Sequence, residues 1–317
     1  IVPVRESAFD TVLGHSRGLQ QVIQLARKVA VTDVPVLLTG ETGTGKEVFA
    51  QAIHNGSARA KQPFVAINCS AFSKELLESE IFGHKAGAFT GALKDKKGLF
   101  EEANHGTIFL DEIGEMAYGL QAKLLRVLET GEYIKVGDTK PTKIDVRIVS
   151  ATNRNLKEEI ANSNFREDLY FRLSVFHLHL PPLRERREDI PELAAAFLKF
   201  FAAKMGKQVK GFAADCQAWM QSYAWPGNVR ELRNVIERAL IICDDYITLD
   251  DMPLDFRSST LSGSAADGDD FELAEAEHRH IQRVLQYTKG NKAEAARLLK
   301  IGLTTLYRKI EEYGINI

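Results

Sequence analysis

Five short apolar runs mark the first part of the chain: Val34 to Thr39, Phe64 to Asn68, Thr107 to Asp111, Val146 to Ala151 and Val175 to Leu180. Between them apolar residues recur at helical spacing, as at Leu19, Val22, Ile23 and Ala26, with Ser16 standing where an N-cap is expected. Near-continuous apolar strands that alternate with helices predict an α/β fold, a largely parallel sheet covered on both faces. After Pro181-Pro182 the strand pattern stops. From Arg187 to Cys243 the period is helical only, with Ile190, Leu193, Ala194, Phe197 and Leu198 on one face, so a smaller helical subdomain follows the sheet. Residues 257–270, "RSSTLSGSAADGDD", are poor in large apolar side chains and read as a flexible linker. Beyond it, Leu273, Ala276, His280, Ile281, Val284 and Leu285 outline one amphipathic helix. "NKAEAARLLKIGLTTLYRKIEEYGI" then predicts an Ala-rich helix, a break at Ile301-Gly302 and a second helix opening on Thr304. That is a small all-α helix-turn-helix pattern, whose second helix suits a major groove. The predicted division is a residual linker at 1–10, an α/β subdomain at 11–183, a helical subdomain at 184–256, a linker at 257–270 and the helix-turn-helix module at 271–317.

A net charge of -2 leaves nucleic-acid contact to a local patch rather than a global field. Such a patch exists: from Lys289 to Lys309 six Lys or Arg stand against the single acid Glu294. Thr304, Thr305, Arg308 and Lys309 are therefore candidate DNA-contacting groups. A helical hairpin used for dimerisation alone is the competing reading, and the two combine, because helix-turn-helix proteins bind paired half-sites as dimers. No apolar run approaches the roughly 18 residues of a membrane span, and no basic-then-apolar leader is present, so a cytoplasmic protein without a membrane is expected. Cys69, Cys216 and Cys243 are odd in number and scattered, which suits a reducing compartment and offers no His and Cys metal site. The chain begins at Ile1 without Met, as a fragment of a longer protein would.

The chemistry concentrates at strand ends. "VLLTGETGTGKE" places Gly40, Glu41, Thr42, Gly43, Thr44, Gly45 and Lys46 between a predicted strand and a predicted helix, the context a phosphate-binding P-loop requires. Glycines turn backbone N–H groups toward phosphates, the helix N-terminus adds its positive end, and Lys46 reaches the terminal phosphates. Glu47 stands where the general motif has a Ser or Thr for magnesium, so the metal must lean on another acid or on water. "GTIFLDEIGE" supplies that acid: Asp111 to hold Mg2+ through water and Glu112 to polarise the attacking water. Asn153 ends a later strand, where a sensor of the terminal phosphate would sit, although alone it is a turn signal. Arg166 and Arg172 are six apart, hence not on one face of a straight helix, and are candidates for an arginine supplied to a neighbouring subunit.

One insert fits none of this. "EIFGHKAGAFTGALKDKKGLFEEA", residues 80–103, carries an aromatic-tipped, Gly-flanked hexapeptide in the middle of the α/β region. Together with the P-loop and the Asp-Glu strand end, it makes the chain resemble the NtrC-type enhancer-binding proteins, the AAA+ ATPases that activate bacterial sigma-54 RNA polymerase. "GETGTGKE" looks like the family's own P-loop, Glu47 included, and "GAFTGA" like its hallmark. The resemblance implies an AAA+ fold with a helical lid, a Fis-type helix-turn-helix domain, ATP and Mg2+ as ligands, and a homo-oligomer, from a dimer to a hexameric or heptameric ring. It implies that Gly87, Ala88, Phe89, Thr90, Gly91 and Ala92 contact sigma-54 in the closed RNA polymerase complex, and that hydrolysis drives the open complex while the C-terminal domain holds enhancer DNA. By position, Asn68 looks like the asparagine coupling Glu112 to that loop, Arg166 and Arg172 like paired arginine fingers, and Arg230 in "WPGNVRELRN" like the lid arginine; Asn228 reads as a cap. Residues 131–143 look like a second surface loop, with Lys135 where many relatives carry arginine. Such relatives often carry an N-terminal receiver, as in two-component systems. Two rivals share parts of this pattern: a nucleotide- and DNA-binding regulator without polymerase remodelling, which needs no GAFTGA loop, and an AAA+ unfoldase, which needs no DNA-binding module.

Overall fold

In a computed structural model of the protein, the described residues are 6–253 together with 277–315, apart from 279, 283, 286, 287, 289, 290 and 314. The linker expected at 257–270, residues 1–5 of the expected leading segment, Leu273, Ala276 and Lys289 lie outside them. The chain divides into two compact units at Arg257–Ser258.

In the first unit the strands are β1 (Val36–Thr39), β2 (Phe64–Asn68), β3 (Thr107–Asp111), β4 (Glu132–Ile134), β5 (Pro141–Lys143), β6 (Arg147–Thr152), β7 (Phe176–His179), β8 (Gly211–Phe212) and β9 (Tyr246–Ile247). The helices are α1 (Arg17–Ala30), α2 (Lys46–Asn55), α3 (Lys74–Phe82), α4 (Leu99–Glu102), α5 (Tyr118–Thr130), α6 (Leu156–Ala161), α7 (Glu167–Leu173), α8 (Ile190–Met205), α9 (Ala214–Ser222) and α10 (Asn228–Ile242). The five apolar runs form one sheet in the order β2-β3-β6-β1-β7, with every neighbouring pair parallel. Alternate residues of β1, β3 and β6 enter different cores, because successive side chains point to opposite faces. Leu37, Ile108 and Leu110 pack with α3, α5 and α7 through Phe82, Leu124 and Leu169. Val36, Leu38 and Phe109 pack with α1 and α2 through Ile23, Phe49 and Ile53. Both faces are thus covered, as a parallel sheet requires.

Helices α8, α9 and α10 close a third core around Trp219, Trp225 and Ile236. The region after Pro182 is not purely helical: β8 pairs in parallel with β9. At 131–143, expected as a second surface loop, β4 and β5 form an antiparallel hairpin. Two expected caps are also reassigned. Ser16 precedes α1 without capping it; its hydroxyl donates to the buried Asp189 at 2.6 Å. Asn228 is the first residue of α10 at φ 53, after Gly227. Its amide oxygen accepts from Leu183 N at 2.7 Å and its amino group donates to Glu41 and to the Thr42 carbonyl, each at 3.1 Å. In both cases a buried long-range partner took the polar group from the local backbone.

In the second unit, Ile281, Leu285, Ala295, Ala296, Leu306 and Ile315 form a small core. Asn291 caps the helix Lys292–Leu298 by accepting from Glu294 N. The next helix, Leu303–Glu312, starts after Gly302.

Candidate functional site

The loop after β1 is held in shape by its own backbone. Gly40, Gly43 and Gly45 all have positive φ. A Cβ on Gly43 would lie 2.3 Å from the Gly227 carbonyl, so glycine here also permits contact with the start of α10. Arg230 N donates to the Gly43 carbonyl at 3.3 Å. A cleft of about 240 Å³ gathers Thr42, Gly43, Gly45, Lys46 and Glu47 from this loop, Asp111 and Glu112 from the end of β3, and Arg230 and Arg233 from α10. Thr44 turns away: its hydroxyl donates to the Glu41 carbonyl at 2.8 Å, and the buried Arg186 donates to the Thr44 carbonyl at 2.9 Å.

Lys46 is buried at the first turn of α2. Its ammonium donates to the carbonyls of Gly40 (2.8 Å) and Glu41 (3.2 Å). Burial lowers its pKa from the usual lysine value, while Glu112 and Asp111 oppose that shift. Glu112 sits at φ 50, ψ 48, left-handed backbone that is costly for a residue with a side chain. Asn153 N donates to the Glu112 carboxylate at 3.3 Å, and the Asn153 amide donates to the Thr42 hydroxyl at 3.0 Å. One residue at the end of β6 therefore touches both the acid and the phosphate loop.

Gly40 and Glu41 border a separate crevice of about 330 Å³, shared with Asn153, His177 and His179. Glu41 forms a two-pronged pair with Arg184, at 2.7 and 2.6 Å. The Arg184 bonds, then the Asn228 bond, hold its carboxyl down to about 2. Its contacts here tie the loop to the segment that leads into α8.

Asn68 ends β2 beside Asp111, but its amide oxygen accepts from Ser70 N and Ser70 Oγ at 2.8 and 2.7 Å. Among the described residues it makes no hydrogen bond to Glu112. Arg166 and Arg172 do not line the cleft of their own chain. Gln121 accepts from Arg166 N at 2.8 Å and so fixes the start of α7. The Arg166 side chain pairs with Asp168 at 3.0 and 2.7 Å and Arg172 reaches Glu129 at 3.5 Å. Phe171 and Val175 beside them are 64% and 55% exposed. Arg233, Arg184 and Arg186 were not singled out from sequence. Arg233 stands one turn beyond Arg230 on α10, and that i, i+3 spacing was the available signal.

The GAFTGA loop rises from a rigid base. His84 and Lys96 exchange backbone hydrogen bonds at 3.1 and 2.8 Å; Lys85 N donates to Val136 O and Val136 N to Gly83 O, each at 3.0 Å. Val136 follows β4, so the 131–143 hairpin carries this base. Asp95 accepts from Lys85 Nζ at 2.7 Å and from Ala86 N at 2.9 Å. Gly87 and Gly91 have φ of 82 and 101, yet a Cβ on either would meet nothing within 4 Å. Phe89 is 43% exposed, its ring edge-on to His84 at 4.9 Å. Thr90 is exposed, Ala88 half-buried and Ala92 buried.

In the C-terminal unit Thr304 and Arg308 are exposed and Thr305 is half-buried. Lys309 is otherwise engaged: its ammonium donates to Glu277 at 2.6 Å and lies over the Tyr313 ring. Of the four expected DNA-contacting groups, it is the one tied into its own module.

An Asp-Glu strand end opposite a P-loop lysine, beneath a helical lid, defines an AAA+ P-loop ATPase. Residues 12–179 match the family described as Sigma-54 interaction domain. Residues 184–268 match the AAA+ ATPase lid domain, and 272–313 the bacterial regulatory protein, Fis family. The chain is 47% identical over 96% of its length to the alginate biosynthesis transcriptional regulatory protein AlgB of Pseudomonas aeruginosa, covering 68% of that protein. It is 43% identical to the regulatory protein AtoC of Escherichia coli over 96% of the chain and 68% of the relative. The corresponding values for the DNA-binding transcriptional regulator NtrC of Escherichia coli are 41%, 96% and 70%. Among solved structures, NtrX from Brucella abortus in complex with ATP matches with a TM-score of 0.74 and 36% identity, over 96% of this chain and 69% of that one. The chain belongs to the sigma-54 interaction family: it is a sigma-54-dependent transcriptional activator, an AAA+ ATPase with a Fis-type helix-turn-helix domain.

Proposed function

We propose that hydrolysis in the Lys46–Glu112 cleft moves the GAFTGA loop against sigma-54 and so converts the closed RNA polymerase complex into the open one. The observation that carries this reading is a continuous connection between the two sites. From Glu112 the chain runs through α5 into β4, and Val136 just beyond β4 holds Gly83 and Lys85 at the base of the loop. At the other end of the hairpin, β6 leads to Asn153, which bonds both Glu112 and Thr42.

Within the cleft, the loop's backbone N–H groups and Lys46 receive the phosphates, Lys46 exchanging the carbonyls of Gly40 and Glu41 for phosphate oxygens. Glu112 accepts a proton from the attacking water, and Asn153 orients that carboxylate. Among the described residues no three His, Cys, Asp or Glu side chains gather into a metal cage. The acids lining the cleft are Glu47, Asp111 and Glu112. That donor set fits Mg2+: Asp111 would hold the ion, which would neutralise phosphate charge. Arg230 and Arg233 report the phosphates to the lid. Asn68 changes partner from Ser70 to Glu112 during the cycle.

Arg166 and Arg172 serve a neighbouring subunit in a hexameric or heptameric ring. Their distance from the chain's own cleft and the exposed Phe171 and Val175 support this. The C-terminal module binds enhancer DNA as a dimer, through Thr304, Thr305 and Arg308 with Lys309 nearby.

The test is promoter melting in vitro on a sigma-54 promoter, with ATP against a non-hydrolysable analogue and a sigma-70 promoter as control. Opening confined to ATP and the sigma-54 promoter is expected. Steady hydrolysis by ring-forming, DNA-bound protein without any opening would refute the remodelling reading and favour a regulator whose loop has another partner.

A further inference from the structure

Leu93 lies one residue beyond the hexapeptide and is 89% exposed. No other large apolar side chain among the described residues comes near that value; the next is Phe171 at 64%. Single exposed leucines are ordinary on protein surfaces, so exposure alone decides nothing. Three features set this one apart. It is held rather than trailing, since Leu93 N donates to the Gly91 carbonyl at 2.9 Å and Ala92 before it is buried. The chain is pinned again two residues later, where Asp95 bonds Lys85 Nζ and Ala86 N across the stem. Finally, it directly follows in sequence the hexapeptide whose Phe89 and Thr90 are exposed. Phe89 itself is partly sheltered against His84, so in this conformation the most accessible apolar group of the loop is Leu93.

We infer that Leu93 is a further contact residue for sigma-54, extending the GAFTGA surface by a second apolar finger that the partner buries along with the Phe89 ring. This rests on the reading of that loop as the sigma-54 contact. Both residues belong to one loop whose stem is stapled by Asp95 to Lys85 and Ala86. Leu93 lies outside the cleft that holds Lys46 and Glu112, which separates its effect from hydrolysis.

The test uses the full chain, trapped with ADP and aluminium fluoride and titrated with labelled, purified sigma-54, comparing Leu93→Gln, Leu93→Met and Phe89→Ala. Leu93→Gln is expected to weaken capture about tenfold or more, the scale of withholding one leucine from burial. Leu93→Met, still apolar and of similar volume, should retain capture, and ATP turnover should stay at the starting level in both. Wild-type capture by Leu93→Gln alongside lost capture by Phe89→Ala overturns this inference and leaves the loop's role intact. Wild-type capture by both variants overturns the loop's role itself, and this inference with it.

Discussion

Two glycine-flanked loops dominate this molecule, and the same residue type serves them differently. In the phosphate loop, Gly43 combines positive φ with a neighbour so close that a methyl group would meet the Gly227 carbonyl at 2.3 Å. In the GAFTGA loop, Gly87 and Gly91 have the same sign of φ and open space around them. The first loop is clasped by the lid through Arg230 N and Asn228. The second is fixed at its base and exposes Thr90 and Gly91 at its tip. A cradle for charge must be rigid, because preorganised dipoles need no reorganisation when the reaction occurs. A loop that engages a large partner and then moves needs permissive backbone without close packing.

The comparison is sharpest where chemistry can be removed without touching shape. Glu112→Gln keeps the size of the side chain and removes its proton acceptor. Hydrolysis in single turnover is expected to fall by about 10²–10⁴, the usual contribution of a general base, while equilibrium ATP binding persists. Unchanged turnover would take Glu112 out of the water-activating role.

A smaller effect concerns the clasp between loop and lid. Glu41 has its carboxyl lowered from an ordinary 4.5 to about 2, first by Arg184 and then by Asn228. A depressed carboxyl stabilises the fold above its unfolded value and loses that contribution as pH falls through the folded one. The Glu41–Arg184 pair is about two-fifths exposed on both sides, so solvent screens it and its contribution is small. Arg184→Ala should therefore lower the thermal midpoint slightly at pH 7. The gap from wild type should narrow as the pH is taken below 4.5, and a gap independent of pH would show that the charge pair is not the cause.

Much of this was legible in the sequence because it depends on local patterns. The inner strands β1, β3 and β6 announced themselves as apolar runs, since burial on both faces leaves little polar alternation, whereas the edge strand β7 alternates, with His177 and His179 exposed. The P-loop and the Asp111-Glu112 strand end were recognisable from spacing and context. What escaped depends on distant partners. The hairpin of β4 and β5 has three residues a side, includes Pro141 and fully buries only Tyr133, so it left no period to read. The base of the GAFTGA loop is built from backbone bonds among Gly83, His84, Lys85, Lys96 and Val136, which no side-chain pattern encodes. Ser16 and Asn228 looked like caps because Ser and Asn favour such places. Asp189 claimed Ser16, and Glu41 with the Leu183 and Thr42 backbone claimed Asn228, in the folded protein. Arg186 was hidden among neighbouring arginines and acids, and only the fold picks it out as the one buried against Thr44.

The two loops are separate devices joined by the chain between them. The most direct measurement pairs Gly43→Ala with Gly91→Ala and records ATP turnover and sigma-54 promoter opening on each. Gly43→Ala should lose both, since the added methyl must displace the lid contact, at a cost of about 1–3 kcal/mol for such overpacking. Gly91→Ala meets no neighbour and pays only for its backbone, about 1–2 kcal/mol, so turnover should survive while opening fails. Full promoter opening by Gly91→Ala, or loss of its ATP turnover, would contradict the account.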